Sequence, residues 1–259
     1  MKKYASDLRV KENIALNFNY FLLKLTSGEP LPDMQPGQFV EVRVDGSPNT
    51  FLRRPISINY VDRDANELWL LIQQAGDGTR QLATCQVGAT INLLMPLGNG
   101  FTIPAQSGDL RLLLIGGGVG TAPMLFLGKE LKRAGFEPAF LLGARQKEDL
   151  VQLSEFRQIG TVYVTTEDGS LGEKGYVTDH PVLQNAAFDR IYTCGPKPMM
   201  VAVARYASSR NTPCEVSLEN MMACGIGACL CCVEMTKEGH KCVCTDGPVF
   251  DINELTWLN

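Results

Sequence analysis

Between residues 8 and 105 apolar and polar positions alternate in short runs. Val40, Val42 and Val44 alternate with Glu41 and Arg43; Ile56, Ile58 and Tyr60 alternate with Ser57 and Asn59; Leu68, Leu70 and Ile72 share one parity. A period of two is the mark of strands with one buried face. Turn formers separate the runs at Pro36-Gly37, Asp45-Gly46-Ser47-Pro48, the stretch 62–66 and Gly76-Asp77-Gly78. Without a long helical period, the pattern predicts a small antiparallel barrel over residues 1–106.

At Leu110 the period changes. Leu112-Leu113-Leu114-Ile115 is a continuous apolar run, followed by Gly116-Gly117-Gly118-Val119-Gly120-Thr121-Ala122-Pro123 and a helical spacing through Leu125, Leu127 and Leu131 to Gly135. Buried strand, glycine turn and helix open a nucleotide-binding βα unit. Further units follow: Ala139 to Leu142 with Gly143-Ala144-Arg145, a helix from Glu148 to Phe156, Thr161 to Val164, a short segment from Val177 to Gln184, and Arg190 to Thr193 with Cys194-Gly195-Pro196. A helix then opens with Pro198 in its first turn. The alternation predicts a doubly wound parallel α/β sheet over 107–215. Residues 216–259 form a third, cysteine-rich module.

Composition narrows the class. In 259 residues, 45% hydrophobic and 20% charged with a net charge of -4, the balance is that of a compact globule and argues against nucleic-acid binding. No apolar run reaches the roughly 18 residues that would span a bilayer, and the charged start at Lys2 and Lys3 lacks the pattern of a signal peptide. A cytoplasmic location follows as the default. In that reducing setting, nine cysteines, six of them between Cys224 and Cys244, favour metal or redox chemistry over disulfides.

Four stretches carry candidate chemistry. Arg53-Arg54-Pro55-Ile56-Ser57 sets two guanidiniums at a strand entrance, suited to a phosphate or to plain solvent exposure. Gly76-Asp77-Gly78-Thr79-Arg80 offers backbone N–H groups for a pyrophosphate, or a hairpin turn. The glycine turn at Gly116, Gly118 and Thr121 matches G-x-G-x-x-G loosely, lacking its last glycine. It falls, with Cys194-Gly195-Pro196, at the carboxyl ends of strands, where ligands of such sheets bind; Cys194 can equally be a small buried hydrophobe. The fourth is Cys224, Cys229 and Cys232 in the spacing C-x₄-C-x₂-C, with Cys244 after eleven more residues. That is a plant-type iron–sulfur arrangement. A zinc site on Cys229, Cys232, Cys242 and Cys244 is the rival. By spacing Cys231 and Cys242 are surplus.

The order Arg54-Pro55-Ile56-Ser57, Gly76-Asp77-Gly78-Thr79, Pro96-Leu97-Gly98-Asn99-Gly100-Phe101, the glycine turn, Cys194-Gly195-Pro196 and the cysteine spacing resembles the ferredoxin-reductase-like flavoproteins. Glu219-Asn220-Met221-Met222-Ala223-Cys224 and Cys244-Thr245-Asp246-Gly247-Pro248-Val249-Phe250 are similar to the electron-transfer subunits of NAD-dependent dihydroorotate dehydrogenases of pyrimidine biosynthesis. The resemblance implies FAD along Arg54, Pro55, Ile56 and Ser57, against Leu71, Ile72 and Gln73, with its pyrophosphate at Gly78 and Thr79. It implies NAD over Gly116, Gly117, Gly118, Val119, Gly120 and Thr121, with Cys194, Gly195 and Pro196 beside the nicotinamide. It also implies a [2Fe–2S] cluster on Cys224, Cys229, Cys232 and Cys244, and a heterotetramer with an FMN-containing catalytic subunit. Two positions depart from the family pattern: Cys231 stands where glycine is common and Gln73 where arginine is common. Such a converter, serving this or another redox complex, demands no general acid or base of its own, in keeping with only two histidines, His180 and His240.

Overall fold

A computed structural model describes residues 2–105 and 109–258; the boundary expected at residues 106 and 107 lies outside the described residues. The N-terminal sheet contains β1 (Tyr4–Ala15), β2 (Tyr20–Thr26), β3 (Phe39–Val42), β4 (Arg54–Ser57), β5 (Tyr60–Asp62), β6 (Glu67–Gln73) and β7 (Thr90–Leu97). Its order is β4-β3-β7-β1-β2-β6-β5, with every pairing antiparallel. The alternation places Leu23, Leu25, Val40, Val42, Leu68 and Leu70 in one closed core, each fully out of solvent. Each such side chain contributes about 2 kcal/mol by burial.

Two details of this lobe differ from the pattern. The run Ile56 to Tyr60 is two strands, because the chain changes partner there, from β3 to β6: the Ile58 N–H donates to the Gln38 carbonyl and the Asn59 N–H to the Trp69 carbonyl. Gly76 to Arg80 is no hairpin: it opens a short helix, α1 (Asp77–Ala83), and Thr79 Oγ1 accepts the Gly76 N–H at 3.1 Å. Seven residues are too few for a helical period to show in the sequence.

The second sheet is built on β8 (Leu112–Gly117), β9 (Ala139–Ala144), β10 (Thr161–Thr166), β11 (Glu173–Lys174), β12 (Arg190–Cys194) and β13 (Cys214–Ser217). These are parallel, in the order β11-β10-β9-β8-β12-β13, with helices α2 (Ala122–Arg133), α3 (Leu153–Ile159), α4 (Val182–Asn185) and α5 (Lys197–Ser209) between them. The helix expected from Glu148 begins only at Leu153, because Gln152 at φ 59° breaks the helical path before it.

The tail folds a hairpin, β14 (Val233–Thr236) with β15 (Gly239–Cys242), and returns as β16 (Val249–Asp251), antiparallel to β13 at the edge of the parallel sheet. One apolar core runs through all three regions, joining Phe39 and Leu97 of the barrel, Ile115 of the sheet and Val243, Cys244 and Phe250 of the tail. Gly98 seats this junction: at φ 74° a Cβ there would lie 2.5 Å from Pro248 and 2.8 Å from the Gly247 carbonyl. Among the described residues no helix is long and apolar enough to cross a membrane.

Candidate functional site

Three sites lie along the molecule. The first opens at the edge of the barrel, where β4 meets the start of α1. Gly78 permits the approach, since a Cβ there would lie 3.0 Å from Thr50 and 3.2 Å from the Arg54 side chain. The cleft between them has a volume near 500 Å³ and is lined by Thr50, Phe51, Arg54, Gly76, Gly78 and Thr79. Among the described residues Arg54 spends only its Nε, on the Arg53 carbonyl at 3.0 Å, so its terminal nitrogens can take a phosphate. Arg53 is committed differently, to Asn92 and the Glu41 carbonyl. This cradle fits a flavin dinucleotide: one free guanidinium, adjoining main-chain N–H groups and an open wall. Leu71 and Ile72 use their side chains in packing, Leu71 against Tyr20 and Ala122, and Ile72 in the barrel core, so what they offer a cofactor is backbone.

The second site is at the carboxyl ends of β8 and β12. Cys194 pairs in register with Gly116, which brings the glycine turn and Cys194-Gly195-Pro196 together. The glycines are there for contact as much as for turning. A Cβ on Gly120 would lie 2.5 Å from the Cys194 carbonyl, and one on Gly117 would lie 2.4 Å from Met199 Sδ. Gly118, at φ 56°, faces the Tyr20 hydroxyl, so barrel and sheet meet over this turn. Asn59 fastens them, donating to the Ala122 carbonyl and to Gln152 at 3.1 Å each. The bare backbone leaves room for a dinucleotide.

The third site is the cysteine loop. Gly225 and Gly227 at φ 67° and 84° let the chain curl so that amide groups point inward. The N–H groups of Ile226, Ala228 and Cys229 donate to Cys224 Sγ at 3.3–3.4 Å, Gly227 donates to Cys244 Sγ at 3.2 Å, and Cys244 donates to Cys232 Sγ at 3.4 Å. Amides aimed at sulfur stabilise thiolates that ligate iron. Burial opposes ionisation of Cys224, but the amides of Ile226, Cys229 and Ala228 together with the Cys229 thiol hold it down to about 6. Burial, then the neighbouring Cys232, pushes Cys244 up to about 12. Cys224, Cys232 and Cys244 thus each accept at least one main-chain amide of the loop. Among the described residues no three His, Cys, Asp or Glu side chains converge to hold a single metal ion. Cysteine sulfurs that accept main-chain amides fit an iron–sulfur cluster. Cys231 is exposed, and Cys242, at the end of β15, accepts none of these amides.

Sequence reading missed Glu41. Its strand partner across β4 is Pro55, and its side chain lies under the cysteine loop, where a Cβ on Gly225 would lie 2.6 Å from Glu41 Cγ. Both carboxyl oxygens are buried without a partner. Burial pushes its pKa up to about 7, against the pull of Arg54 and Arg53, with Cys224 adding to the rise. His180 is structural: its Nδ1 accepts the Val182 N–H at 3.0 Å, while His240 is exposed.

A flavin cradle on an antiparallel barrel, joined to a nucleotide-binding parallel sheet, defines a ferredoxin-reductase-like oxidoreductase. Solved structures agree: a chain of an NADH-dependent reduced ferredoxin-NADP oxidoreductase superimposes with a TM-score of 0.86 and 30% identity over 96% of this chain and 90% of its own. The ferredoxin reductase of carbazole 1,9a-dioxygenase shares the fold at a TM-score of 0.70 and 21% identity, covering 82% and 68%. Residues 219–256 match the iron–sulfur cluster binding domain of dihydroorotate dehydrogenase B, and residues 114–205 match the oxidoreductase NAD-binding domain. The electron transfer subunit of dihydroorotate dehydrogenase B (NAD(+)) from Shouchella clausii is 41% identical over 98% of both chains. That from Listeria monocytogenes is 42% identical over 97% of this chain and 98% of its own. The chain belongs to the family of dihydroorotate dehydrogenase B (NAD(+)) electron transfer subunits. Its cofactors are FAD, an iron–sulfur cluster and NAD, and the zinc alternative is set aside.

Proposed function

We propose that this chain accepts electrons from a dihydroorotate-oxidising, FMN-bearing catalytic subunit, within a cytoplasmic heterotetramer, and delivers them as hydride to NAD⁺. The observation that carries the reading is the cysteine loop with its inward amides, set at the junction of a flavin barrel and a nucleotide sheet. When bound, the flavin exchanges two electrons with NAD and single electrons with the cluster, which is the conversion this order of sites requires.

The chain's own residues hold and orient these groups. Arg54, Gly78 and Thr79 would take the flavin phosphates, with Pro55, Ile56 and Ser57 along the flavin and the backbone of Leu71, Ile72 and Gln73 against it. Gly116 to Thr121 receive the NAD phosphates, while Cys194, Gly195 and Pro196 border the nicotinamide. Cys224, Cys229, Cys232 and Cys244 ligate the cluster. Functionally the regions divide as 1–106, 107–215 and 216–259. Around the cysteine loop Met221, Ile226, Leu230 and Met235 are 50–83% exposed, an apolar rim suited to the partner subunit.

Copurification from native extract, with cofactor analysis, tests this. It should yield an FMN-containing partner that oxidises dihydroorotate, together with flavin and a reducible [2Fe–2S] signal. Absence of both flavin and cluster would refute the reading. The similarity to the ferredoxin-NADP oxidoreductase chain favours a second reading, the same converter serving a different redox partner, and that partner's identity would appear in the same experiment.

A further inference from the structure

The glycine turn offers a dinucleotide little beyond its backbone, because the turn is glycine at four of its first five positions and Val119 packs its side chain beside Tyr20 and Leu71. A pyrophosphate laid there carries negative charge and several acceptor oxygens, and the first N–H groups of α2 answer only part of them. Across the cleft, on the barrel, stands a further donor without an assigned role.

Tyr20 opens β2 and is only 4% exposed. Its backbone is fixed at the hairpin: the Tyr20 N–H donates to Asn17 Oδ1 at 2.8 Å, and its carbonyl accepts the Leu16 N–H at 2.9 Å. Its ring is packed by Leu71, Ala122 and Val119. Only the hydroxyl is left unspent. Among the described residues nothing hydrogen-bonds it, yet it is not one of the unpartnered side-chain atoms sealed from solvent. It lies 3.7 Å from the point a Cβ on Gly118 would occupy, and among the described residues nothing else outside the turn comes within 4 Å of that point. The phenol therefore hangs over bare backbone with open space beside it.

The charges that reach Tyr20 locate it along the site. Asp149 and Arg145 follow β9, and Glu219 follows β13, while β8 with its glycine turn runs between those strands. The hydroxyl thus stands mid-row, with Cys194 and the proposed nicotinamide end to one side and the end beyond β9 to the other. The middle of a dinucleotide is its pyrophosphate. We propose that the Tyr20 hydroxyl donates a hydrogen bond to the NAD pyrophosphate, so that the dinucleotide is gripped between barrel and sheet instead of being held by the sheet alone. The inference rests on the placing of NAD over the glycine turn proposed above. Burial first, then Asp149, holds the phenol above its ordinary pKa against the pull of Arg145, so it stays an O–H donor.

The experiment uses the full-length chain with its flavin and cluster, as wild type, Tyr20→Phe and Gly120→Ala. The ligand is ADP-ribose, which carries the pyrophosphate without the nicotinamide, titrated by calorimetry. Phenylalanine keeps the packed ring and removes only the donor, so Tyr20→Phe should lose about tenfold or more in ADP-ribose affinity with FAD binding unchanged. A second readout is the carbon-13 resonance of tyrosine labelled at the ring carbon that bears the hydroxyl; the line missing from Tyr20→Phe belongs to Tyr20. In wild type it should shift when ADP-ribose is added and stay in place with adenosine, which has no phosphate. ADP-ribose affinity within twofold of wild type in Tyr20→Phe, a line that ADP-ribose leaves unmoved or that adenosine moves as far, or an equal loss of FAD would overturn the proposal. Undiminished ADP-ribose binding in Gly120→Ala would instead refute the placing of NAD, and the proposal with it.

Discussion

Replacing Glu41 by Gln should stabilise the protein at neutral pH and do nothing at mildly acidic pH. Glu41 on β3 is wholly buried, with neither carboxyl oxygen hydrogen-bonded. Burial lifts its pKa from 4.5 to about 7, only partly opposed by Arg54 and Arg53. In the folded state the proton is therefore held longer than in the unfolded chain. As pH rises from 4.5 toward 7 the unfolded chain releases its proton freely, while the folded one must keep it or bury a charge. Folding stability falls through that window. The difference corresponds to about 3 kcal/mol, absent below the lower limit and complete above the upper one. Glutamine stays neutral throughout. Melting curves of wild type and Glu41→Gln should coincide at the acid end and separate above about pH 7, the variant higher by roughly 6–12 °C. Parallel curves, or a wild type that gains on the variant as pH rises, would refute the reasoning and show Glu41 to be an ionised partner of the two arginines.

Other changes probe the three sites. Serine at Cys231 or Cys242 should leave the visible and paramagnetic signature of the cluster intact, whereas serine at Cys224, Cys229, Cys232 or Cys244 should abolish it; loss in either of the first two would reassign the ligands. Gly120→Ala places a methyl 2.5 Å from the Cys194 carbonyl and should weaken NAD binding at least about tenfold by calorimetry while leaving bound flavin unchanged. Arg54→Ala removes the free guanidinium of the barrel cleft and should weaken FAD by about 2 kcal/mol, read by fluorescence titration, with NAD affinity retained.

The lobes were legible in the sequence because their signals are local. Alternation at Val40 and Val42 needs only a sheet with one core face, and the apolar run at Leu112 to Ile115 needs only a strand covered on both sides. The helix α1 was hidden by its brevity, and so was the three-residue β16. Glu41 shows the limit most clearly. Alternation presents it as the polar side of β3, yet all four residues of that strand are buried, because the cysteine module covers the face that a lone barrel would leave to water.

The sequence by itself determined the strand and helix periods, the glycine turn and the four-cysteine spacing, since each depends on residues within one or two turns of chain. Only the tertiary structure decided that Cys194 meets Glu219, that Tyr20 closes over Gly118, and that Glu41 lies beneath Gly225. Those contacts join residues 25 to 184 positions apart. They exist because β13 pairs beside β12, the barrel packs on the glycine turn and the tail returns over the barrel, and nothing in the local spacing of any one segment encodes those pairings.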